Sequence, residues 1–163
     1  MKHMKVGVIS DTHMTEPQPL LEMVVEKIFK PVDLILHAGD LTHMGVLNAF
    51  AGKEVVAVAG NSDTPEVKQR LPARETLTLE NFRIGLVHGW GVPLGLERRL
   101  GSSFEGLHCL VYGHSHRPAN HYRDGVLYFN PGAFCGGIFS LWHRTVGILT
   151  VERKIRGEII RLP

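Results

Sequence analysis

The sequence predicts an α/β fold in which two β-sheets pack face to face with helices outside. Three observations point there. The first part of the chain alternates short apolar runs with amphipathic segments. That βαβαβ pattern implies parallel strands joined by right-handed crossovers. The second part is dominated by apolar runs separated by turn dipeptides, which reads as largely antiparallel β-structure. Finally, five apolar runs each stop at residues able to bind a metal ion, and ligands of α/β sheets collect outside the carboxyl ends of strands.

The elements follow in order. A first strand spans Lys5–Ser10. A helix is expected over Pro19–Lys30: Leu20, Val24 and Ile28 keep a four-residue step, with Leu21 and Val25 widening the stripe. Pro19 suits the first helical turn. Strand Asp33–Ala38, a short helix at Val46–Phe50 and strand Glu54–Ala59 come next. Pro65–Leu71 reads as a further helix with Thr64 as its N-cap. Glu75–Leu79 and Phe82–Val87 flank a hairpin signal at Glu80-Asn81. A helix near Leu94–Leu100 leads to strand Leu107–Tyr112. Asn120–Arg123 and Val126–Asn130 flank Asp124-Gly125, the strongest short hairpin turn. Thr145–Val151 and Lys154–Arg161 make the last hairpin. No linker, repeat or low-complexity run interrupts residues 1–163, which read as one domain.

Composition narrows the function classes. The 163 residues suffice for a real core. Formal charge is only +2, with acids and bases interspersed, which leaves no broad basic surface for duplex nucleic acid. No apolar run approaches the ~20 residues of a membrane span. Met1-Lys2-His3-Met4 is expected to lead straight into a strand, without a signal-peptide core. Two cysteines make no disulfide framework: Cys109 lies inside an apolar strand and Cys135 in a Gly-rich loop. A cytoplasmic setting fits both. The ten histidines stand out, because imidazole is polar and titrates near neutral pH. His37, just before Gly39-Asp40, is placed to support that turn.

The strand ends carry the chemistry. Asp11-Thr12-His13 puts a carboxylate and an imidazole side by side, a pairing that suits Zn²⁺, Mn²⁺ or Fe²⁺. Asp11 taken alone is equally an ordinary turn residue. In Gly39-Asp40 the glycine allows close backbone approach and the carboxylate projects outward. Asp40 is the best bridging candidate, since one carboxylate offers two oxygens to two metals. Gly60-Asn61 adds a neutral carbonyl oxygen, and the Asn61 amide can also donate to a phosphoryl oxygen. His88-Gly89 follows a strongly apolar strand; a lone histidine there is more often a hydrogen-bonded rim residue than a ligand. Gly113-His114-Ser115-His116 is the most specific signal, since two imidazoles flanking a serine have little structural use. Seven donors are too many for one tetrahedral ion and suit two metals sharing a carboxylate.

These motifs, in this order, resemble the calcineurin-like metallophosphoesterase superfamily. Their spacing is similar to its small bacterial and archaeal phosphodiesterase branch, itself similar to the retromer subunit Vps29. The resemblance covers nearly the whole chain. It implies a four-layer α/β/β/α sandwich of two mixed sheets flanked by helices. It also implies a dinuclear centre in which a metal-bridging hydroxide hydrolyses phosphodiesters. Asp11, His13 and His116 would hold one ion; Asn61, His88 and His114 would hold the other; Asp40 would bridge. Mn²⁺ is the first expectation, with Zn²⁺, Fe²⁺ or Ni²⁺ as alternatives. Two departures stand out. Ser62 occupies the position where many members carry a histidine that serves the leaving group, which weakens the case for a phosphomonoesterase. Asn130-Pro131-Gly132-Ala133 lacks the serine hydroxyl of the corresponding branch motif.

Roles beyond the metals are expected for Asn61 and His116 as phosphoryl contacts and for Arg117 as a phosphate contact beside them. Asp63 is expected to orient His88 or another ligand, to pass a proton, or simply to start the following helix. The expected partner is a small phosphodiester, with no membrane. The competing class is a non-catalytic, Vps29-like protein-binding scaffold, which has no need of seven intact donors. The apolar stretch Gly132–His143, with Phe134, Ile138, Phe139, Leu141 and Trp142, reads as irregular core or as a homo-oligomer contact.

Overall fold

A computed structural model describes residues 3–135 and 143–163. Ten strands form two five-stranded sheets. The first sheet has the order β10-β9-β1-β2-β3. It contains β1 (Met4–Ile9), β2 (Leu34–His37), β3 (Glu54–Ala57), β9 (Thr145–Val151) and β10 (Ile155–Arg161). β1, β2 and β3 run parallel, and β9 and β10 add an antiparallel edge. The second sheet has the order β4-β5-β6-β8-β7. Its strands are β4 (Arg74–Leu79), β5 (Phe82–Val87), β6 (Cys109–Val111), β7 (Ala119–Arg123) and β8 (Val126–Asn130).

Alternation along the strands sorts side chains between layers. Val6, Val8, Leu34 and Leu36 from the first sheet meet Ile84, Leu86, Val111 and Phe129 from the second in one buried core. The opposite face of the first sheet, through Ile9 and Ile35, packs on Leu21, Val24 and Phe29 of the first helical segment and on Val46 and Phe50. The opposite face of the second sheet, through Val87 and Leu110, packs on Leu96 and Leu100 of α3 (Leu96–Gly101). The result is the expected sandwich of two mixed sheets between helical layers. No helix among the described residues is long and apolar enough to cross a membrane.

Three expectations need correction. The second sheet is less antiparallel than its turn signals suggest. β5, β6 and β8 are parallel to one another, because α3 carries the chain back between β5 and β6 and the β7–β8 hairpin sets β8 against β6. The expected Pro19–Lys30 helix is α-helical only over α1 (Pro19–Met23), then winds as a π-helical turn over Val24–Ile28. Met44–Phe50 is 3₁₀ rather than α-helical. The helix α2 (Pro65–Arg70) is capped as expected, with Thr64 Oγ1 accepting from Val67 N–H at 3.4 Å. Within the apolar stretch, Phe134 is buried core, whereas Ile138, Phe139, Leu141 and Trp142 lie outside the described residues.

Candidate metal centre

The carboxyl ends of β1, β2, β3, β5 and β6 converge at one end of the sandwich, where the two sheets meet. Backbone bonds lace their turns together. Asp11 N–H donates to Gly39 O at 3.0 Å, His13 N–H to Asp40 O at 3.1 Å, and Gly113 N–H to His88 O at 3.0 Å. Space between the turns is tight. A Cβ at Gly60 would collide with Asp40 Oδ1, and one at Gly113 with Ser10 Oγ, so only glycine permits these approaches.

Asp11, Asp40 and His88 are buried at this junction, each at most 2% exposed. Each carboxylate has one oxygen tied to the protein. Asp11 Oδ2 accepts from Ser10 Oγ at 2.6 Å. Asp40 Oδ1 accepts from Ser62 N–H at 2.9 Å. The second oxygens face the imidazoles. Asp11 Oδ1 lies 3.0 Å from His116 Nε2, 3.6 Å from His13 Nε2 and 3.9 Å from His88 Nε2. Asp40 Oδ2 lies 3.1 Å from His88 Nε2 and 3.7 Å from His13 Nε2. Despite these approaches, Asp11 Oδ1 and His88 Nε2 lack a hydrogen bond of acceptable alignment, although both are buried. Buried polar atoms are normally satisfied, so two orphans facing one space suit a cation-binding site.

Hydrogen bonds to the far ring nitrogens fix the ligand tautomers. His88 Nδ1 lies 2.8 Å from the Ala38 carbonyl oxygen. A carbonyl only accepts, so in the neutral ring Nδ1 bears the proton and Nε2 keeps its lone pair. His114 Nε2 similarly donates to Gly91 O at 2.7 Å, leaving Nδ1 3.1 Å from Asn61 Oδ1. This backbone support of a histidine is the usual accompaniment of metal ligation.

The compact groups are Asp11, His13 and His116, and Asp11, Asp40 and His88. Asn61 and His114 form an adjacent pair, with the His114 ring 5.3 Å from that of His88. All seven expected donors therefore meet around one space. Two details differ from expectation. Asp11 Oδ1, not only Asp40, touches both groups. Asp40 Oδ1 already accepts from Ser62 N–H, which makes Oδ2 the less engaged of its two oxygens.

Backbone geometry singles out the same residues. Eight non-glycine residues among those described have positive φ, and five of them are Asp11, His13, Asp40, His114 and His116. Left-handed backbone at such residues costs on the order of 1 kcal/mol each and clusters at functional sites.

Electrostatics agree. Burial opposes ionisation of Asp11, but His116, His13, His88 and Ser10 outweigh it and hold its pKa well below the usual carboxylate range. Asp40 is likewise lowered: burial opposes the shift, and the His88 ring beside it prevails. Asp11 beside His13 raises that imidazole's pKa against partial burial. Burial works against His88, yet Asp40 and Asp11 raise it overall.

Supporting residues were legible to differing degrees. His37 is buried; its Nδ1 accepts from Gly39 N–H and its Nε2 bonds Thr12 Oγ1, both at 3.1 Å, so it ties the first two turns together. Burial pushes its pKa down to about 4. Asp63 does not contact His88. Its carboxylate accepts backbone N–H groups of Gly60 at 2.7 Å, Thr42 at 2.6 Å and Asp40 at 3.1 Å, and so sets the Asp40 turn. Arg117 is exposed, on the rim of a neighbouring cleft. Sequence reasoning met Asn130 only within the Asn130-Pro131-Gly132-Ala133 motif and missed its role. Its side-chain amide donates to Gly113 O at 3.0 Å and Ser115 Oγ at 3.1 Å, pinning the double-histidine turn.

The profile of the calcineurin-like phosphoesterase superfamily domain matches residues 4–154. The chain belongs to that family. A probable metallophosphoesterase of Methanocaldococcus jannaschii is 35% identical over 96% of this chain and 81% of its own length. The solved structure of an archaeal phosphodiesterase superposes with TM-score 0.77 at 25% identity, covering 96% of this chain and 100% of that one. Vps29 from Cryptosporidium parvum shares the fold, with TM-score 0.72 at 20% identity and 98% of both chains covered. Membership of a metal-dependent phosphoesterase family thus accompanies a donor set suited to divalent metal.

Proposed function

We propose that this protein hydrolyses phosphodiesters at a two-metal centre. Asp11, His13 and His116 would hold one ion and Asn61, His88 and His114 the other, with Asp40 shared between them. The observation that carries the reading is the pair of orphaned buried atoms, Asp11 Oδ1 and His88 Nε2. A divalent cation satisfies a carboxylate oxygen and an imidazole lone pair together. When bound, the ions supply Lewis acidity toward phosphoryl oxygens and bring the pKa of water toward neutrality.

The chain's own groups do the rest. Ser10 and Ser62 orient the two carboxylates, and the Ala38 and Gly91 carbonyls orient the two imidazoles. The Asn61 amide and His116 stand at the site's open side, where a phosphoryl oxygen would bind, with Arg117 beyond them. Ser62, whose hydroxyl is far less acidic than an imidazolium, is a poor proton donor to a leaving oxygen. Diesters whose leaving groups need no proton, such as aryl diesters, are therefore the expected best substrates, ahead of alkyl monoesters. The archaeal phosphodiesterase neighbour supports this direction.

The test is turnover of bis-p-nitrophenyl phosphate. Chelator-stripped protein should be inactive and recover with Mn²⁺. Mn²⁺ binding with no turnover of either this diester or p-nitrophenyl phosphate would favour a scaffold role instead.

A further inference from the structure

The segment after β5 is unusually apolar for an exposed loop. Trp90 is 47% exposed, Val92 66% and Leu94 87%; Tyr122 completes the set of exposed large apolar residues among those described. The loop is nevertheless held firmly. The Arg99 guanidinium donates to the carbonyls of Trp90 at 2.9 Å, Leu94 at 2.8 Å and also Val92. The loop's Gly91 carbonyl in turn accepts from His114. A backbone pinned at so many points, with its apolar side chains turned to solvent, fits a contact surface better than a slack connection.

The loop separates two clefts. One, of about 470 Å³, is lined by Leu94, Arg98 and Arg117 and by none of the seven metal-binding candidates. The other, of about 430 Å³, is lined by Trp90 together with Leu71, Ala73 and Val87. Asn61 and His88 line this second cleft, so it opens directly from the candidate metal centre. Lys68 and Arg74 also border it, and Lys68 Nζ donates to Asn61 O at 3.0 Å.

We propose that this second cleft receives an aromatic ring carried by the substrate, a nucleobase or aryl group joined to the phosphate, stacked on the Trp90 indole. The inference rests on the phosphodiesterase reading and adds the class of ester. A phosphorus atom held at the metals places its substituent at the cleft mouth. A half-exposed indole that shares its cleft with aliphatic side chains offers apolar surface on which a planar ring can stack. The two cations border the same cleft, where they favour an anionic ester.

The experiment compares two ligands of the Mn²⁺-loaded protein by titration calorimetry: inorganic phosphate, which reports the metal centre, and adenosine monophosphate, which adds a ring. Wild type should bind the nucleotide more tightly than phosphate. Trp90→Ala should shrink that preference about five- to hundredfold, the range expected for one base–aromatic stack. Trp90→Phe, which keeps a ring, should restore most of it. An unchanged preference in Trp90→Ala, or no preference in wild type, overturns the aromatic cleft. Failure of phosphate itself to bind, together with absent turnover, overturns the phosphodiesterase reading and the cleft with it.

Discussion

At the scale of single residues, the site trades local comfort for chemistry. His116 sits at positive φ with its ring 3.0 Å from Asp11 Oδ1. Asparagine tolerates that backbone. His116→Asn should therefore add no backbone strain and destabilise metal-free protein only through the lost partner of buried Asp11, by about 1–3 kcal/mol, while cutting metal-dependent turnover by roughly 100-fold or more. Thermal melts and diesterase assays on one preparation would separate the two effects. Proton linkage divides by pH window. His37 is buried and neutral, with its pKa depressed from 6.5 to about 4. The unfolded chain binds that proton first, so His37's contribution is complete above pH 6.5 and is lost as pH falls toward 4. The loss amounts to about 3 kcal/mol, and His37→Gln should flatten that limb of a melting-temperature profile. His13 and His88 behave oppositely, because their pKa values are raised. Their imidazolium–carboxylate pairing stabilises metal-free protein below pH 6.5 and is lost as pH climbs through the raised values. A metal must displace the same protons, so Mn²⁺ affinity should strengthen with rising pH through and beyond 6.5. Calorimetry at several pH values measures it; affinity that weakens with pH would exclude both imidazoles as ligands.

At the scale of elements, each ligand depends on a turn that another element holds. Arg99 of α3 fixes the loop whose Gly91 carbonyl orients His114, and Asn130 of β8 pins the turn that carries His114 and His116. Arg99→Ala and Asn130→Ala should each lower metal affinity about 10- to 100-fold, the usual effect of removing support behind a ligand. Arg99→Lys should rescue little, since an ammonium lacks the planar fork that reaches several carbonyls. These supports explain what the sequence could and could not reveal. The strands were legible because Val, Ile and Leu gather in short apolar runs, and the Asp11, Asp40, His88 and His114 turns because each follows such a run. Arg99 and Asn130 were not, because a side chain bonding a distant carbonyl leaves no periodic trace. Asp63 was left between supporting a ligand and starting the next helix; three backbone N–H groups, that of Asp40 among them, claim it. The parallel β6–β8 pairing was hidden for a related reason: turn dipeptides report the hairpin they make, not the strand beside it.

At the scale of the whole molecule, the centre is a junction. Asp11, His13, Asp40 and Asn61 follow strands of the first sheet, and His88, His114 and His116 follow strands of the second. The sheets are already joined by the core built from Val8, Leu36, Leu86 and Phe129. Metal would join them again at the strand ends, where like-charged carboxylates would otherwise face each other. Saturation at a hundredfold excess over Kd adds about 2.7 kcal/mol, so stripping the protein with a chelator should lower its melting temperature by roughly 5–10 °C. The most direct test is anomalous diffraction from Mn²⁺-loaded crystals. The expected map holds two peaks about 3.5–4 Å apart, flanking Asp40, one against Asp11, His13 and His116 and the other against Asn61, His88 and His114. A single peak, or none among these seven side chains, would contradict the two-metal account.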